Sequence, residues 1–465
     1  MIERYFKLRE HNTTIRTEVL CGITTFLTMM YILFINGDIL SKSGMPIHGV
    51  FVATAIAAFI SSLIISLYAN VPFAMAPGMG INSFFVITLC NEMGYHWKEA
   101  LAITFLSGIV HFTLISSPVR KLFVLSIPDY LKIASGIGLG LFIATIGIDN
   151  TGVFLKGQIS PVVDSGSKMA GAFSSNQIVS ILGFIIMIIL ISIEKKTKER
   201  FAALPISILA ATFIGIPFSV TEMKFIPVLD TPLIKEFGEV FCSFFGNPGL
   251  LSVFATPTVA IKTIFLIVVL SMTNILDSVA SMVGVGQIRN MEVFDKNDME
   301  AFRTKGRKSK LDKALVSNAI GDLLSPVIGT SSSVAYIESV TGIVSGGKTG
   351  LTGVVVGIMF LMCVPFSGFF HIIPSAAIAP TLIFAGSSML TNMGRINWKS
   401  IEESLPAFFT ILIIPYSSIL DGVIIGFFTH IVIKLAMGKR KEVHPMLFIV
   451  TAIYIIVRFT DNFVN

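Results

Sequence analysis

Long uncharged runs constrain this chain more than any other feature. Gly49 to Asn70, Ala100 to Val119 and Thr349 to Gly394 contain no Asp, Glu, Lys or Arg. A helix that crosses a bilayer needs about 20 consecutive apolar residues. The first two runs therefore suit one crossing each, and the third suits two. Charged residues make up 13% of the 465 and hydrophobic residues 53%, with a mean hydropathy of +0.82. A soluble domain carries about 25% charged residues. Folding this chain against water would leave large apolar patches exposed, whereas lipid solvates them. The composition implies a polytopic integral membrane protein.

The net charge of +6 would suggest a nucleic-acid partner in a soluble protein. Here the cations fall in loops, where the positive-inside rule accounts for them, and no nucleic acid is expected. Cys21, Cys90, Cys242 and Cys363 are scattered without a CxxC pair, so neither a disulfide framework nor a zinc site is indicated. Met1 to Glu18 is polar and lacks a signal-peptide apolar core. The first span is expected to act as its own uncleaved insertion signal. No phosphate loop, HExxH or nucleophile elbow occurs, which removes ATP-driven pumping and the common hydrolases. The chain reads as a transporter, not an enzyme, without metal or cofactor.

Hydropathy places seven spans in the first half, near 19–37, 49–70, 72–91, 100–119, 128–149, 177–193 and 203–217. A second seven lie near 257–286, 311–325, 327–347, 349–366, 372–393, 403–417 and 418–437. The expected fold is all-α, with 14 spans in two inverted repeats of seven, 19–217 and 257–437. Residues 1–18 form a cytoplasmic N-terminus, 218–256 an extracytoplasmic loop, and 438–465 a C-terminal tail. Within that tail 446–459 is apolar but short, an interfacial helix or a partial re-entry. Basic segments before the first span, at 194–200, at 287–313 and at Lys439-Arg440-Lys441 fall on one side of this topology, which makes that side cytoplasmic.

Two spans do not suit ordinary helices. The third carries Pro72 and Pro77-Gly78-Met79-Gly80, and the tenth carries Gly329-Thr330-Ser331-Ser332-Ser333 and Gly346-Gly347. Both are expected to be partly unwound or strand-like. Interrupted spans at matching places in two halves point to a transporter's binding site. The halves also echo one another: Thr25 to Asn36 and Thr263 to Asn274 share one spacing, and Ile-Pro opens the fifth and twelfth spans.

Inside these apolar segments, the eighth span from Thr263 to Gly286 holds Asp277 and the tenth holds Glu338, with no Lys or Arg in either stretch. An ionised side chain at a helix centre costs about 2.5–3.5 kcal/mol on insertion scales. The plain structural reading is a protonated or Ser/Thr-capped carboxylate. The functional reading uses the two carboxylate oxygens, which accept a pair of N–H bonds such as a nucleobase edge offers. A desolvated carboxylate also takes up and releases protons closer to neutral pH. Phe73, Phe84 and Phe85 could stack on a planar base, although most of the 39 Phe must face lipid or pack. His111 and His430 read as hydrogen-bonded packing residues, with a proton relay as the rival. Asn12-Thr13-Thr14 matches a glycosylation pattern but lies on the expected cytoplasmic side.

Several long runs carry a resemblance. Thr24-Thr25-Phe26-Leu27-Thr28-Met29, Ala76-Pro77-Gly78-Met79-Gly80-Ile81-Asn82-Ser83-Phe84-Phe85 and Gly329-Thr330-Ser331-Ser332 resemble the nucleobase:cation symporter-2 family. So do Tyr336-Ile337-Glu338-Ser339, Gly346-Gly347-Lys348-Thr349-Gly350-Leu351-Thr352 and Pro406-Ala407-Phe408. They are most similar to its AzgA-like branch of adenine, guanine and hypoxanthine permeases, over about residues 5–437. The resemblance implies a core domain of spans 1–4 and 8–11 and a gate domain of spans 5–7 and 12–14. It implies purine binding by Glu338, Asp277 and Asn82, and proton coupling by Asp277, Glu338 and Asp421. Gly80 and Ser332 join the expected site because half-helices near Gly78 to Asn82 and Ser331 to Val334 would present free peptide N–H donors at their N-termini. Read from the residues alone, Asp421 could instead be a solvated helix cap. The family often has proline after the span 1 asparagine, where Gly37 stands here. It commonly has glutamine where Asp149 stands. Both departures bear on selectivity rather than class.

The expected function is import of guanine, hypoxanthine or adenine by proton symport across a bacterial inner membrane, with a homodimer possible on the resemblance. The alternative is an anion carrier, or a xanthine or uracil carrier, of the same fold. A channel would need a continuous polar pore, and a membrane enzyme a nucleophile–base or metal constellation.

Overall fold

The computed structural model describes residues 2–117, 128–151, 174–197, 203–221, 231–286, 293–294, 309–336, 338–365, 372–417, 419–448, 451–452 and 455. Most of the basic loop at 287–313, and most of the apolar tail at 446–459, lies outside them.

Apolar composition makes long helices the default, because a helix satisfies its own backbone where water is absent. In chain order they are α1 (Ile15–Met29), α2 (Tyr31–Ser41), α3 (Ile47–Tyr68), the short α4 (Met79–Ser83), α5 (Trp97–Ser116), α6 (Asp129–Thr151), α7 (Ser175–Thr197), α8 (Ala203–Gly215) and α9 (Thr231–Val240). Then come α10 (Pro257–Gly286), α11 (Lys310–Ile328), the short α12 (Ser339–Val344), α13 (Gly350–Met362), α14 (Ser375–Met389), α15 (Ile401–Tyr416) and α16 (Ile419–Ala436). Among the described residues, five helical stretches are long and apolar enough to cross a membrane: Ile15–Ser41, Ile47–Tyr68, Trp97–Ser116, Asp129–Thr151 and Ser175–Glu194.

Three features differ from expectation. The first span runs on to Ser41, with one turn residue of helical dihedrals, Met30, between α1 and α2. The segment 218–256 is not a plain loop, since its α9 packs along α3. The ninth span runs through Pro326 to Ile328 instead of stopping at 325. Pro326 forgoes one ladder bond, its own to the carbonyl of Asp322, and the helix stops three residues later at Gly329, whose φ of 102° suits glycine.

The helices sort into two groups that pack mostly within themselves. In the first, α3 packs on α11 and α13, α5 on α10 and α11, and α1 on α12 and α13. In the second, α6 packs on α14, α15 and α16, and α7 on α8 and α14. The groups meet through sparser contacts of α6 with α10 and α4, α14 with α2, and α8 with α1.

The two interrupted spans supply the sheet. Strand β1 (Met75–Pro77) pairs antiparallel with β2 (Ser333–Ala335), joining Met75 to Ala335, Ala76 to Val334 and Pro77 to Ser333. Pro77 is tolerated because the sheet has only two strands. Gly78 N–H donates to Ser332 O at 2.9 Å, and Tyr336 N–H to Ala74 O at 3.0 Å, extending the pairing at both ends. Each strand leads into a short helix: β1 into α4 and a π-helical segment Phe84–Glu92, and β2 into α12. A Cβ at Gly78 would stand 2.9 Å from Val334 Cγ2, so a larger residue there must push that side chain aside.

Candidate functional site

Strand backbone inside an apolar body is expensive unless every polar group is paired, and neighbouring helices meet that need at this crossing. From α3, Ser62 Oγ accepts from Met75 N–H at 2.9 Å and donates to Met75 O at 3.0 Å. From α11, Asn318 Oδ1 accepts from Ala335 N–H at 3.0 Å while its amide donates to Ser278 of α10. Ser325 of α11 donates to Ser333 Oγ at 2.6 Å, and Tyr336 OH donates to Pro77 O at 2.6 Å. The crossing is thereby held from α3 on one side and α11 on the other.

The two asparagines of the repeated spacing converge on the segment before β2. Asn36 Nδ2 donates to Thr330 Oγ1 at 3.0 Å and also to Thr54, while Asn274 Nδ2 donates to Ser332 Oγ at 3.2 Å. Asn274 also donates to Asp322 Oδ2 at 2.8 Å, and that oxygen lies 2.7 Å from His111 Nδ1. His111, Asp322, Asn274 and Ser332 are all fully buried. His111 is thus a hydrogen-bonded interior histidine. Asp322, which the hydropathy reading passed over, is its partner. His430 is likewise paired, with Tyr130 OH at 2.5 Å.

Around this scaffold stand the expected binding residues. Glu338 caps the start of α12 with its backbone, and Tyr31 OH donates to its Oε1. Asp277 lies on α10, one turn beyond Asn274, and hydrogen-bonds the Ser281 hydroxyl. Both carboxylates are within electrostatic reach of the Tyr336 phenol, so the eighth and tenth spans bring them to one region. Among the described residues, neither carboxylate has a Lys or Arg as an electrostatic partner. Asn82 is fully buried in α4; its Oδ1 accepts from Ser331 Oγ, and its Nδ2 has no partner among the described residues. Gly80 is buried in the same short helix. Ser332 Oγ is engaged by Asn274, and its carbonyl closes the crossing, so this residue is tied into the scaffold.

Asp421 belongs to the second helix group. It is a buried residue in the first turn of α16, bonded by Ser417 Oγ, and not a solvated cap. Asp149 is exposed near the end of α6. Tyr31 was missed because one phenol in an apolar helix carries no sequence signal. No group of three or more His, Cys, Asp or Glu among the described residues could hold a metal.

Two broken spans crossing between helices, with carboxylates beside the crossing that no described cation pairs, suit a membrane permease. The chain belongs to the Permease family (Xan_ur_permease), whose profile matches residues 16–457. It is similar to the adenine permease AdeP of Escherichia coli (strain K12), with 35% identity over 459 residues, 98% of this chain and 95% of that protein. The guanine/hypoxanthine permease PbuO of Bacillus subtilis (strain 168) is 32% identical over 466 residues, 98% of this chain and 99% of that protein. Among solved structures, the transmembrane domain of the cyanobacterial bicarbonate transporter BicA superposes with a TM-score of 0.60 at 15% identity. That match covers 88% of this chain and 97% of BicA's domain, and it bears on the fold alone.

Proposed function

We propose that this permease imports purine nucleobases together with protons. One observation carries the reading: among the described residues, the Asn82 amide buried in α4 at the crossing has no partner, and the carboxylates Asp277 and Glu338 beside β2 have no cation. Carboxylate oxygens accept the adjacent N–H groups of a purine edge, and the Asn82 amide donates to a ring nitrogen or carbonyl. An anion carrier would need positive charge at this place, and the site supplies negative charge instead. Relatives described as adenine and as guanine/hypoxanthine permeases support the substrate class.

In this reading the first helix group is the core and the second is the gate. The 14 spans form inverted repeats of seven, and the N-terminus faces the cytoplasm of a bacterial cell. Glu338 grips the purine edge with Asp277, Asn82, Ser332 and Gly80 around it. Asp277 carries the coupling proton, with Glu338 second and Asp421 acting from the gate. The core shifts against the gate to open the site inward. The functional unit is a homodimer.

Uptake of labelled hypoxanthine in cells lacking their own purine permeases tests this, at two external pH values and with unlabelled adenine, guanine, xanthine or uracil in excess. Saturable uptake, faster at the lower pH and blocked by purines, is the expected result. Absence of uptake by protein shown to reach the membrane would refute the substrate class and favour the anion carrier.

A further inference from the structure

The first span grips the helix that carries Glu338 at successive turns. At the far end, Gly342 of α12 lies against Cys21 and Thr25, so closely that a Cβ on it would stand 2.9 Å from Cys21 O. One turn on, Thr28 Oγ1 and Thr341 Oγ1 share a hydrogen bond of 3.0 Å. At the near end Tyr31 OH donates to Glu338 Oε1. Positions 21, 25, 28 and 31 make one helical stripe, and 342, 341 and 338 meet it in the opposite chain direction. Tyr31 is fully buried and begins α2, directly after the turn residue Met30.

From this geometry we propose that Tyr31 is a positioning residue for substrate binding. Its phenol holds the Glu338 carboxylate in the rotamer that meets the purine edge. The proposal rests on Glu338 being the purine acceptor. Thr28 and Gly342 dock the two helices, whereas Tyr31 bonds the binding carboxylate itself. A carboxylate on a three-bond side chain samples several rotamers when free. A buried donor fixed by its own ring removes that freedom before the ligand arrives, which is worth affinity. The bond is charge-assisted when Glu338 is ionised, so its loss is felt at the ligand.

Tyr31→Phe deletes one oxygen and keeps the ring that packs. Transport kinetics for hypoxanthine, together with equilibrium binding to purified protein, read the effect. The expected result is a KM and Kd raised by roughly 10- to 150-fold, the worth of one hydrogen bond to a charged group, with Vmax close to wild type. Thr28→Val, which removes the neighbouring Thr341 bond, leaves both constants near wild type. Unchanged constants in Tyr31→Phe would overturn the proposal. Equal shifts in both variants would also overturn it, because they would show that span 1 merely docks α12. Wild-type protein that transports no purine would fail earlier and would sink the parent reading with it.

Discussion

Glu338→Gln probes the site with the least change of shape. The side chain keeps its length, and Tyr31 OH still finds an oxygen acceptor where Oε1 now stands. What changes is the other end: an acceptor oxygen becomes an NH2 donor facing the purine N–H groups. One hydrogen bond to a charged acceptor is worth about 1.5–3 kcal/mol. The opposed donor leaves a desolvated N–H unpaired, which adds about 1–3 kcal/mol. The sum, roughly 2.5–6 kcal/mol, corresponds to a loss in uptake efficiency of about 70-fold to more than 10⁴-fold. The assay is initial-rate uptake of labelled hypoxanthine and adenine, normalised to protein in the membrane. Uptake within threefold of wild type for both bases would refute the assignment of Glu338 as purine acceptor. A loss confined to hypoxanthine would show that adenine uses a different edge.

Asn82→Leu removes the buried Nδ2, which has no partner among the described residues, together with the Oδ1 that accepts from Ser331; uptake efficiency per folded protein should fall by roughly 5- to 150-fold, about 1–3 kcal/mol, and unchanged kinetics would take Asn82 out of the site. Gly78→Ala forces a Cβ against Val334 at the crossing, and about 1–3 kcal/mol of strain should appear as a lower melting temperature in detergent. Asp322→Ala leaves His111 and the Asn274 amide facing a gap in the interior; at about 1–3 kcal/mol for each orphaned group, a destabilisation of roughly 2–6 kcal/mol is expected, read by the same melting assay. A melting point equal to wild type would show that the pair is not what holds α5 to α11.

Which parts of this site could be seen in the sequence follows from the range of the interactions. The unwound spans were legible because proline and glycine act on the backbone locally, and β1 and β2 fall where Pro77-Gly78 and Gly329 to Ser333 placed them. Asp277 and Glu338 were legible because a carboxylate in an apolar run is costly wherever it lies. The pairing of β1 with β2 joins residues more than 250 positions apart in the chain and leaves no local pattern. Asp322 failed to register for a related reason. It lies in a weakly apolar helix, and its cost is offset by His111, 211 positions away. The turn residue at Met30 also has no breaker residue beside it, since the run around it is Thr-Met-Met-Tyr.

The distribution of hydrogen bonds indicates which parts can move. Side chains of α3, α10 and α11 tie the crossing to the first helix group through Ser62, Asn274, Asn318 and Ser325. Each such bond is buried, and breaking it without replacement costs about 1–3 kcal/mol. Between the two helix groups the described side-chain bonds gather at one end. There Ser375 Oγ of α14 donates to Asp38 Oδ1 of α2 at 3.0 Å, and Lys42 and Asn150 approach at 3.5 Å. These groups are partly exposed, so water replaces their bonds at a cost of about 0–1 kcal/mol each. A displacement that preserves the crossing and separates the groups at this end is therefore the cheap one. On the proposed reading of a core moving against a gate, the carboxylates and the Asn82 amide would travel with the crossing as a unit, so the binding geometry would survive the transit and only the access on either side of it would change.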